Sequence, residues 1–158
     1  MRVAHVCMDP GVGPERHKGA AIHVTAIRKA LGEQGAEILA IDSPEPKVVA
    51  HILDSAHAES PLDLVYERYS LDAVAASRFA ARAGGPHIVE VNAPLRQEAQ
   101  RYGGAAKEPD AGDTDRSVLY AATQVLAVSS AVSRYVLDMG VPPERVVIEP
   151  NGVDVRLF

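Results

Sequence analysis

The chain contains one cysteine, no tryptophan and only 4% aromatic residues, and it has no long uninterrupted apolar run. With Cys7 alone no internal disulfide can form, and its apolar neighbours predict a buried filler rather than a reactive thiol. Asp9 and Pro10 interrupt the first apolar stretch too early for a signal peptide. No other run approaches the roughly 20 apolar residues of a membrane-spanning helix. We therefore expect a cytoplasmic protein without a transmembrane segment.

A strong excess of either charge is also absent. The 16 basic and 21 acidic residues leave a formal net charge of −5, which provides no general attraction to nucleic acid or to an anionic membrane. The 158 residues are 47% apolar, which is enough for the core of one domain. We expect no nucleic-acid partner.

Short apolar runs alternate with amphipathic stretches along the chain. The predicted strands are residues 2–8, 37–41, 62–66, 87–91, 124–128 and 146–148. The predicted helices are residues 19–34, 47–55, a helix capped by Ser70, residues 114–122, and a helix capped by Ser129. Strands that are apolar throughout are buried on both faces. The alternation therefore predicts an α/β fold with a doubly wound, mainly parallel, Rossmann-like sheet.

Two of these segments carry more specific expectations. The first helix is predicted to bury one apolar face, formed by Ile22, Ala26, Ile27, Ala30 and Leu31. Residues 103–113 lack periodicity and large apolar side chains, which is typical of a surface loop.

In an open parallel sheet, ligands bind beyond the carboxyl ends of the strands. After the first strand, residues 9–18 lead to Gly19-Ala20-Ala21 at the start of a helix. Small residues there leave backbone N–H groups free to bind a phosphate or another anion. The tight dinucleotide fingerprint and the Walker pattern are both absent. Gly19 and Ala20 are thus candidate anion-binding residues. The alternative interpretation is that Gly19 only allows the helix to start close to the strand.

Polar residues also follow the third and fourth predicted strands. Glu67 and Arg68 come directly after the third strand. Two interpretations are open: the pair holds hydroxyl or phosphate groups of a ligand, or it forms a local ion pair. Asn92 follows the fourth and can both donate to and accept from a hydroxyl. Glu90 lies in or at the end of that strand, where a carboxylate must be paired or face the cleft.

Other kinds of site find less support. The six histidines lack the spaced cysteine or carboxylate partners of zinc ligands, so we expect neither a metal nor a cofactor. Asp42 ends the second predicted strand, as the acidic residue of a dinucleotide-binding dehydrogenase does. It keeps that class open despite the missing glycine fingerprint.

The end of the sequence predicts a hinge. Pro150 cannot donate to a strand ladder, and Asn151-Gly152 is a turn pair. A strand followed by this turn and then only a few residues is typical of a crossing between two domains. We therefore predict one domain over residues 1–149, a hinge over 150–158, and a second domain that is absent from this sequence.

Together these segments resemble the N-terminal domain of the retaining family-4 glycosyltransferases with the GT-B fold. The resemblance rests, in chain order, on Lys18-Gly19-Ala20-Ala21-Ile22-His23-Val24, Val65-Tyr66-Glu67-Arg68-Tyr69-Ser70, Val89-Glu90-Val91-Asn92-Ala93-Pro94-Leu95, Val128-Ser129-Ser130-Ala131-Val132 and the hinge. These segments cover nearly the whole chain, and they are specific for the family but not for a substrate.

The resemblance implies an enzyme that transfers a sugar from a nucleotide-sugar donor to a sugar or other hydroxyl acceptor. It implies that Gly19 and Ala20 face the donor diphosphate and that Glu67, Arg68 and Asn92 bind the acceptor. Many relatives carry a His-Asp pair where this chain has Asn92-Ala93, so no catalytic residue is carried over. Most nucleotide contacts would belong to the second domain, so the chain alone is expected to be inactive.

Two alternatives remain beside this interpretation. One is part of a sugar-nucleotide epimerase, which shares the two-domain cleft but needs catalytic carboxylates. The other is a non-catalytic, doubly wound nucleotide-binding or regulatory module.

Overall fold

Six short apolar segments pair side by side into one sheet. The structure is a computed structural model, and it describes residues 1–10, 12, 19–102 and 111–152. The strands are β1 (Arg2–Cys7), β2 (Glu37–Asp42), β3 (Leu64–Arg68), β4 (His87–Val91), β5 (Gln124–Ala127) and β6 (Val146–Ile148). Their order is β2-β1-β3-β4-β5-β6, and every neighbouring pair is parallel. The predicted α/β fold with a parallel, Rossmann-like sheet is confirmed.

Helices cover both faces of this sheet. The helices are α1 (Gly19–Glu33), α2 (Pro46–Glu59), α3 (Ala75–Ala83), α4 (Leu95–Tyr102), α5 (Ala111–Ala121) and α6 (Ser130–Asp138). Consecutive strand residues point to opposite faces. Cys7 packs with Val24 of α1, whereas Val6 packs in a cluster with Leu53 of α2 and Phe79 of α3. Helix α1 therefore lies on one face and α2 and α3 on the other, so the sheet is doubly wound as predicted.

The carboxyl ends of β1 and β3 lie at the switch point of the sheet. The chain runs from β1 to the edge strand β2 and then returns past β1 to β3. The connections that leave β1 and β3 consequently run over opposite faces, which opens a crevice between them. Gly19 is the first residue of α1, the helix that follows β1. It therefore lies at the ligand edge, as predicted.

Helix α1 buries a different face from the predicted one. Ile22 is 63% exposed, whereas Val24 is buried. His23 and Arg28 form hydrogen bonds with side chains of the sheet. These polar contacts orient the helix in place of the apolar stripe, so the prediction of that stripe is wrong.

The segments after β3 and β4 also differ from prediction. Helix α3 begins at Ala75 without a cap from Ser70, because Asp72 has a φ of 59°, in the left-handed region. Helix α4 was not predicted, since its sequence is polar and only Arg96 is buried in it. Helix α5 begins at Ala111, so 111–113 are helical and not part of a loop. Residues 103–110 of the predicted loop lie outside the described residues.

The predicted cap at Ser129 is confirmed. The Ser129 hydroxyl accepts the Val132 N–H at 3.3 Å and caps α6. Gly84 ends α3 with a φ of 71°, which a residue without a Cβ adopts at little cost.

A buried arginine joins the segments that follow β3 and β4. Arg96 Nε donates to Asp115 Oδ2 at 2.7 Å, and Arg96 Nη2 donates to Asp72 Oδ1 at 2.9 Å. Asp115 is only 1% exposed, and its Oδ1 accepts the Asp72 N–H at 3.0 Å. Burial would lower the pKa of Arg96, but the two carboxylates raise it. The guanidinium thus holds α4, α5 and the Asp72 turn together near the carboxyl edge.

Replacing Arg96 should destabilise the fold strongly. We expect Arg96→Leu to lower the free energy of unfolding by about 3–5 kcal/mol, because it leaves the Asp115 carboxylate buried without its cation. Urea unfolding followed by circular dichroism would measure this. Arg82→Leu is the matched control, since Arg82 pairs with Asp54 at 2.7 Å with both side chains more than half exposed. It should cost less than about 1 kcal/mol. Equal losses in the two variants would contradict the assignment.

Candidate functional site

A buried carboxylate near the end of β4 collects side chains from three other parts of the chain. Glu90 is 4% exposed. Its Oε1 accepts hydrogen bonds from Asn92 Nδ2 at 2.7 Å and from His23 Nε2, and its Oε2 accepts one from the Tyr66 hydroxyl at 3.0 Å. We call His23, Tyr66, Glu90 and Asn92 the Glu90 cluster.

The topology brings these four residues together. Tyr66 and Glu90 lie on the adjacent strands β3 and β4 and face the same side of the sheet as α1. His23 lies in the second turn of α1, and Asn92 is the first residue after β4. Both α1 and the segment after β4 start at the carboxyl ends of parallel strands. The cluster therefore lies at the ligand edge, close to the switch point.

The hydrogen bonds keep Glu90 charged. Burial alone would raise the pKa of Glu90, but the hydrogen bonds from His23, Asn92 and Tyr66 outweigh it and lower the pKa. Burial, followed by the charge of Glu90, raises the pKa of Tyr66, so that hydroxyl stays a donor. The result is an ionised carboxylate surrounded by fixed donors.

The cluster extends to the segment that follows β6. Asn151 Nδ2 donates to Asn92 Oδ1 at 3.2 Å. Asn92 thus donates through its amide nitrogen to Glu90 and accepts through its amide oxygen from Asn151. The turn that the sequence predicted as a hinge is in direct contact with the site, although residues 153–158 lie outside the described part of the chain.

A second polar group lies under α1. Arg28 binds both oxygens of Asp42, at 2.8 and 2.6 Å, and its Nε contacts His5 Nδ1 at 3.2 Å. Burial and then the charge of Arg28 lower the pKa of His5 to about 4, so its ring is neutral at pH 7. That ring stacks on Tyr66 with centroids 5.3 Å apart. Asp42 therefore fastens α1 to β2. Because Arg28 binds both of its oxygens, Asp42 does not provide the carboxylate that a dehydrogenase uses to bind the ribose.

The predicted position of Glu67 is wrong. Glu67 does not follow the third strand but lies within β3, 1% exposed, and its Oε2 contacts His87 Nε2 at 2.8 Å. Because Tyr66 faces the cluster, the strand pleat turns its neighbour Glu67 to the opposite face. Burial raises the pKa of Glu67, although His87 opposes the change. Glu67 is thus placed away from the other predicted site residues.

Arg68 lies on the same face as the Glu90 cluster. It is the last residue of β3, two residues after Tyr66, and it pairs in register with Glu90 of β4. Its Nη1 is buried and has no hydrogen-bond partner among the residues that the structure describes. Arg68 and Asn92 therefore lie at the carboxyl ends of adjacent strands, at one edge of the sheet.

Gly19 at the start of α1 has no close neighbour among the described residues. A Cβ built on it would meet none of their atoms within 4 Å. Close packing by the described residues therefore does not require a glycine here. Lys18 and residues 13–17 of the preceding loop lie outside the described residues, so the structure shows only Gly19 and Ala20 of the predicted anion site.

Two members of the cluster, His23 and Tyr66, are not among the site residues that the sequence predicts. The place of His23 in the second turn after the first strand puts it near the ligand edge. Tyr66 precedes Arg68 by two residues and so shares its face. Within the described ranges, no group of three or more His, Cys, Asp or Glu residues is arranged to hold a metal ion. None of the helices described is long and apolar enough to cross a membrane.

The comparison with protein families identifies the class. The model of the glycosyl transferase 4-like domain matches residues 1–152. The chain therefore belongs to this family, as the ordered motifs predicted. No curated protein matches the chain significantly.

Solved structures share the fold at low sequence identity. HepE of Anabaena in complex with UDP is 17% identical, with a TM-score of 0.65, and the match covers 99% of this chain and 46% of the HepE chain. MnaA of S. aureus in complex with UDP is 15% identical with a TM-score of 0.64, covering 93% and 42%. The UDP-GlcNAc 2-epimerase of Methanocaldococcus jannaschii is 13% identical with a TM-score of 0.66, covering 94% and 45%. The chain thus spans less than half of the length of these proteins.

The cluster should make stability depend on pH. The pKa of folded Glu90 lies below its ordinary value of 4.5. The stabilisation by the ionised form is therefore complete above 4.5 and is lost as the pH falls through the folded pKa. Glu90→Gln should cost about 1–3 kcal/mol at pH 7, because three hydrogen bonds lose their charged acceptor, and less in acid. Urea unfolding from pH 3 to 7 would measure the difference.

The exposed Glu59 provides the control for this series. Glu59→Gln should leave the pH dependence of unfolding as it is in the unmodified chain. A gap between Glu90→Gln and the unmodified chain that stayed constant from pH 7 to pH 3 would argue against an ionised Glu90.

Proposed function

We propose that this chain is the acceptor-binding half of a cytoplasmic glycosyltransferase that transfers a sugar from a nucleotide-sugar donor with retention. The observation that carries the proposal is that the ionised Glu90 cluster and Arg68 lie on one face at the carboxyl edge of the sheet, and that Arg68 Nη1 has no hydrogen-bond partner among the described residues. Carboxylate, amide and guanidinium groups fixed together recognise hydroxyl and phosphate groups. Membership of the glycosyl transferase 4-like family supports the reaction class.

Each site residue then has a role. Arg68 and Asn92 bind the acceptor, and the backbone N–H groups of Gly19 and Ala20 form one side of the donor-diphosphate site. Glu67 is not included, because it lies on the opposite face of the sheet. The solved relatives that contain UDP support a uridine nucleotide as the donor. The reaction needs no cofactor in this proposal.

The activity also needs a partner domain. We place residues 1–149 in the acceptor-side domain and 150–158 in a hinge to a second domain that binds the nucleotide. That domain supplies positive groups to the departing diphosphate, which is electrostatic stabilisation of the leaving group. The residues of this chain position the acceptor and exclude water from the cleft between the domains.

A sugar-nucleotide epimerase is the second candidate. One of the structurally similar proteins is a UDP-GlcNAc 2-epimerase, and the Glu90 cluster contains a carboxylate and an imidazole, which are common general acids and bases. The reaction products distinguish the two candidate functions. A transferase joins the sugar to an acceptor and releases the nucleotide, whereas an epimerase returns an altered nucleotide sugar without any acceptor.

The chain alone should fold without catalysing sugar transfer. Loss of one preorganised charge contact typically costs about two to three orders of magnitude in rate, and in this proposal most nucleotide contacts belong to the second domain. The purified chain would be incubated with a panel of uridine-nucleotide sugars and acceptors while release of UDP is followed. Circular dichroism would verify that it is folded. Robust turnover by this chain alone would refute the proposal.

Arg68 should control use of the acceptor. In the protein that includes the second domain, Arg68→Gln should raise the acceptor KM by about tenfold or more, because a hydrogen bond to a charged group is worth about 1.5–3 kcal/mol. Steady-state kinetics with saturating donor would measure it, and donor binding should be unchanged. Arg78→Gln, an exposed α3 residue with no side-chain partner among the described residues, is the control. An unchanged acceptor KM for Arg68→Gln would count against this role.

A further inference from the structure

We propose that Glu67 and His87 share a buried proton and form a pH-sensitive switch in the fold, which alkaline pH loosens. The folded pair keeps a proton at neutral pH that the unfolded chain releases. The proposal starts from a contact on the face of the sheet opposite the Glu90 cluster. His87 Nε2 lies 2.8 Å from Glu67 Oε2, and the side chains are 3% and 1% exposed.

The pair joins two central strands beneath the helices. Glu67 lies within β3, and His87 is the first residue of β4. His87 pairs in register with Val65, which belongs to the core formed with α2 and α3. Glu67 Oε1 and His87 Nδ1 are buried and have no hydrogen-bond partner among the described residues. Each side chain therefore depends on the other for its one described side-chain contact with a polar group.

Glu90 shows what a buried carboxylate needs in order to stay charged. Three side chains donate to Glu90, and its pKa is lowered despite burial. Glu67 has one partner, and burial raises its pKa, although the hydrogen bond and the charge of His87 oppose the change. A net charge on the pair would be buried with too few partners. The pair is therefore neutral as a unit, either as a carboxylic acid beside a neutral ring or as a carboxylate beside an imidazolium.

Other titratable groups do not replace His87 in this role. Next to Glu67, the neighbouring strand β1 presents the apolar Val6. The titratable side chains that border this face are Asp54 and His57 of α2, Tyr69 after β3, Arg82 of α3, Asp115 of α5 and Tyr135 of α6. Each of these six forms an ion pair or a hydrogen bond with a group other than Glu67 or His87. His87 is thus the one titratable partner of Glu67 among the described residues.

The number of bound protons differs between the folded and the unfolded chain. Above about pH 6.5, an unfolded chain has ionised glutamates and neutral histidines, so these two side chains together hold one hydrogen. The neutral folded pair holds two. Folding therefore takes up a proton, and the folding equilibrium constant falls by up to about tenfold for each pH unit above 6.5. Because β3 and β4 also carry Tyr66 and Glu90, loss of the pair loosens the strands beneath the ligand edge.

The hydrogens can be counted directly in this chain. At pH 7, ¹³C spectra of the Glu67 carboxyl and ¹⁵N spectra of the His87 ring should show one of two arrangements. A protonated carboxyl beside a ring with one hydrogen, or a carboxylate beside a ring with two, supports the proposal. A Glu67 carboxylate beside a His87 ring with one hydrogen would overturn it. The Glu90 carboxyl, which should be ionised in the same spectra, is the internal control.

The effect on stability is tested by removing the carboxyl. Glu67→Gln keeps an amide that can bond with His87 but cannot share a proton across this pH range. In urea unfolding from pH 6.5 to 8.5, the unmodified chain should lose up to about tenfold more of its folding equilibrium constant per pH unit than Glu67→Gln. Glu59→Gln, at an exposed position, should follow the unmodified chain. Profiles of Glu67→Gln and the unmodified chain that run parallel would refute the switch.

A double variant serves if Glu67→Gln does not fold. Glu67→Met combined with His87→Phe fills the site with apolar side chains of similar size, and buried ion pairs often tolerate such replacement. The double variant should be folded at pH 7 and should lack the steeper loss of stability toward pH 8.5. If it kept the full alkaline loss of the unmodified chain, other groups would be responsible and the proposal would be wrong.

Discussion

The ionised carboxylate of Glu90 is the interaction on which the rest of the ligand edge depends. It is buried on the face of the sheet that α1 covers, and a buried charge is stable only when donors surround it. Those donors come from α1, from β3 and from the segment after β4. One electrostatic requirement thereby fixes where three separate segments lie.

The same requirement explains the orientation of α1. A helix of this composition would be expected to bury its alanines and isoleucines, yet Ile22 faces outward. His23 and Arg28 instead turn toward the sheet, where Glu90 and Asp42 hold their side chains. Gly19, the first residue of the helix, consequently lies beside the carboxyl ends of β1 and β3. The polar contacts under the helix thus decide what its N-terminus can face.

The two faces of β3 separate structure from function. Glu67 and His87 form a buried pair on the face that packs against α2 and α3, whereas Tyr66 and Arg68 point to the face of α1. Adjacent charged residues in the sequence therefore have unrelated surroundings. In the function that we propose, only the α1 face meets substrate.

The sequence by itself determined the class of fold and the family. Apolar runs bounded by glycine, proline and polar turns depend on local preferences, so the six strands and most helices could be read directly, as could the cap at Ser129. The ordered motifs from Gly19 to the hinge could be recognised in the same way. The position of Asn92 after a parallel strand was also predictable, because the topology sends every such residue to one edge.

Only the tertiary structure decided which side chains meet. Whether Glu67 or its neighbour faces the cleft depends on the exact end of β3, and a shift of one residue exchanges the two faces. Helix α4 forms because Arg96 is buried against Asp115 and Asp72, which are far away in sequence. His23 reaches Glu90 across 67 positions of the chain. Contacts of that range depend on how helices rotate on the sheet, and no local pattern encodes that rotation.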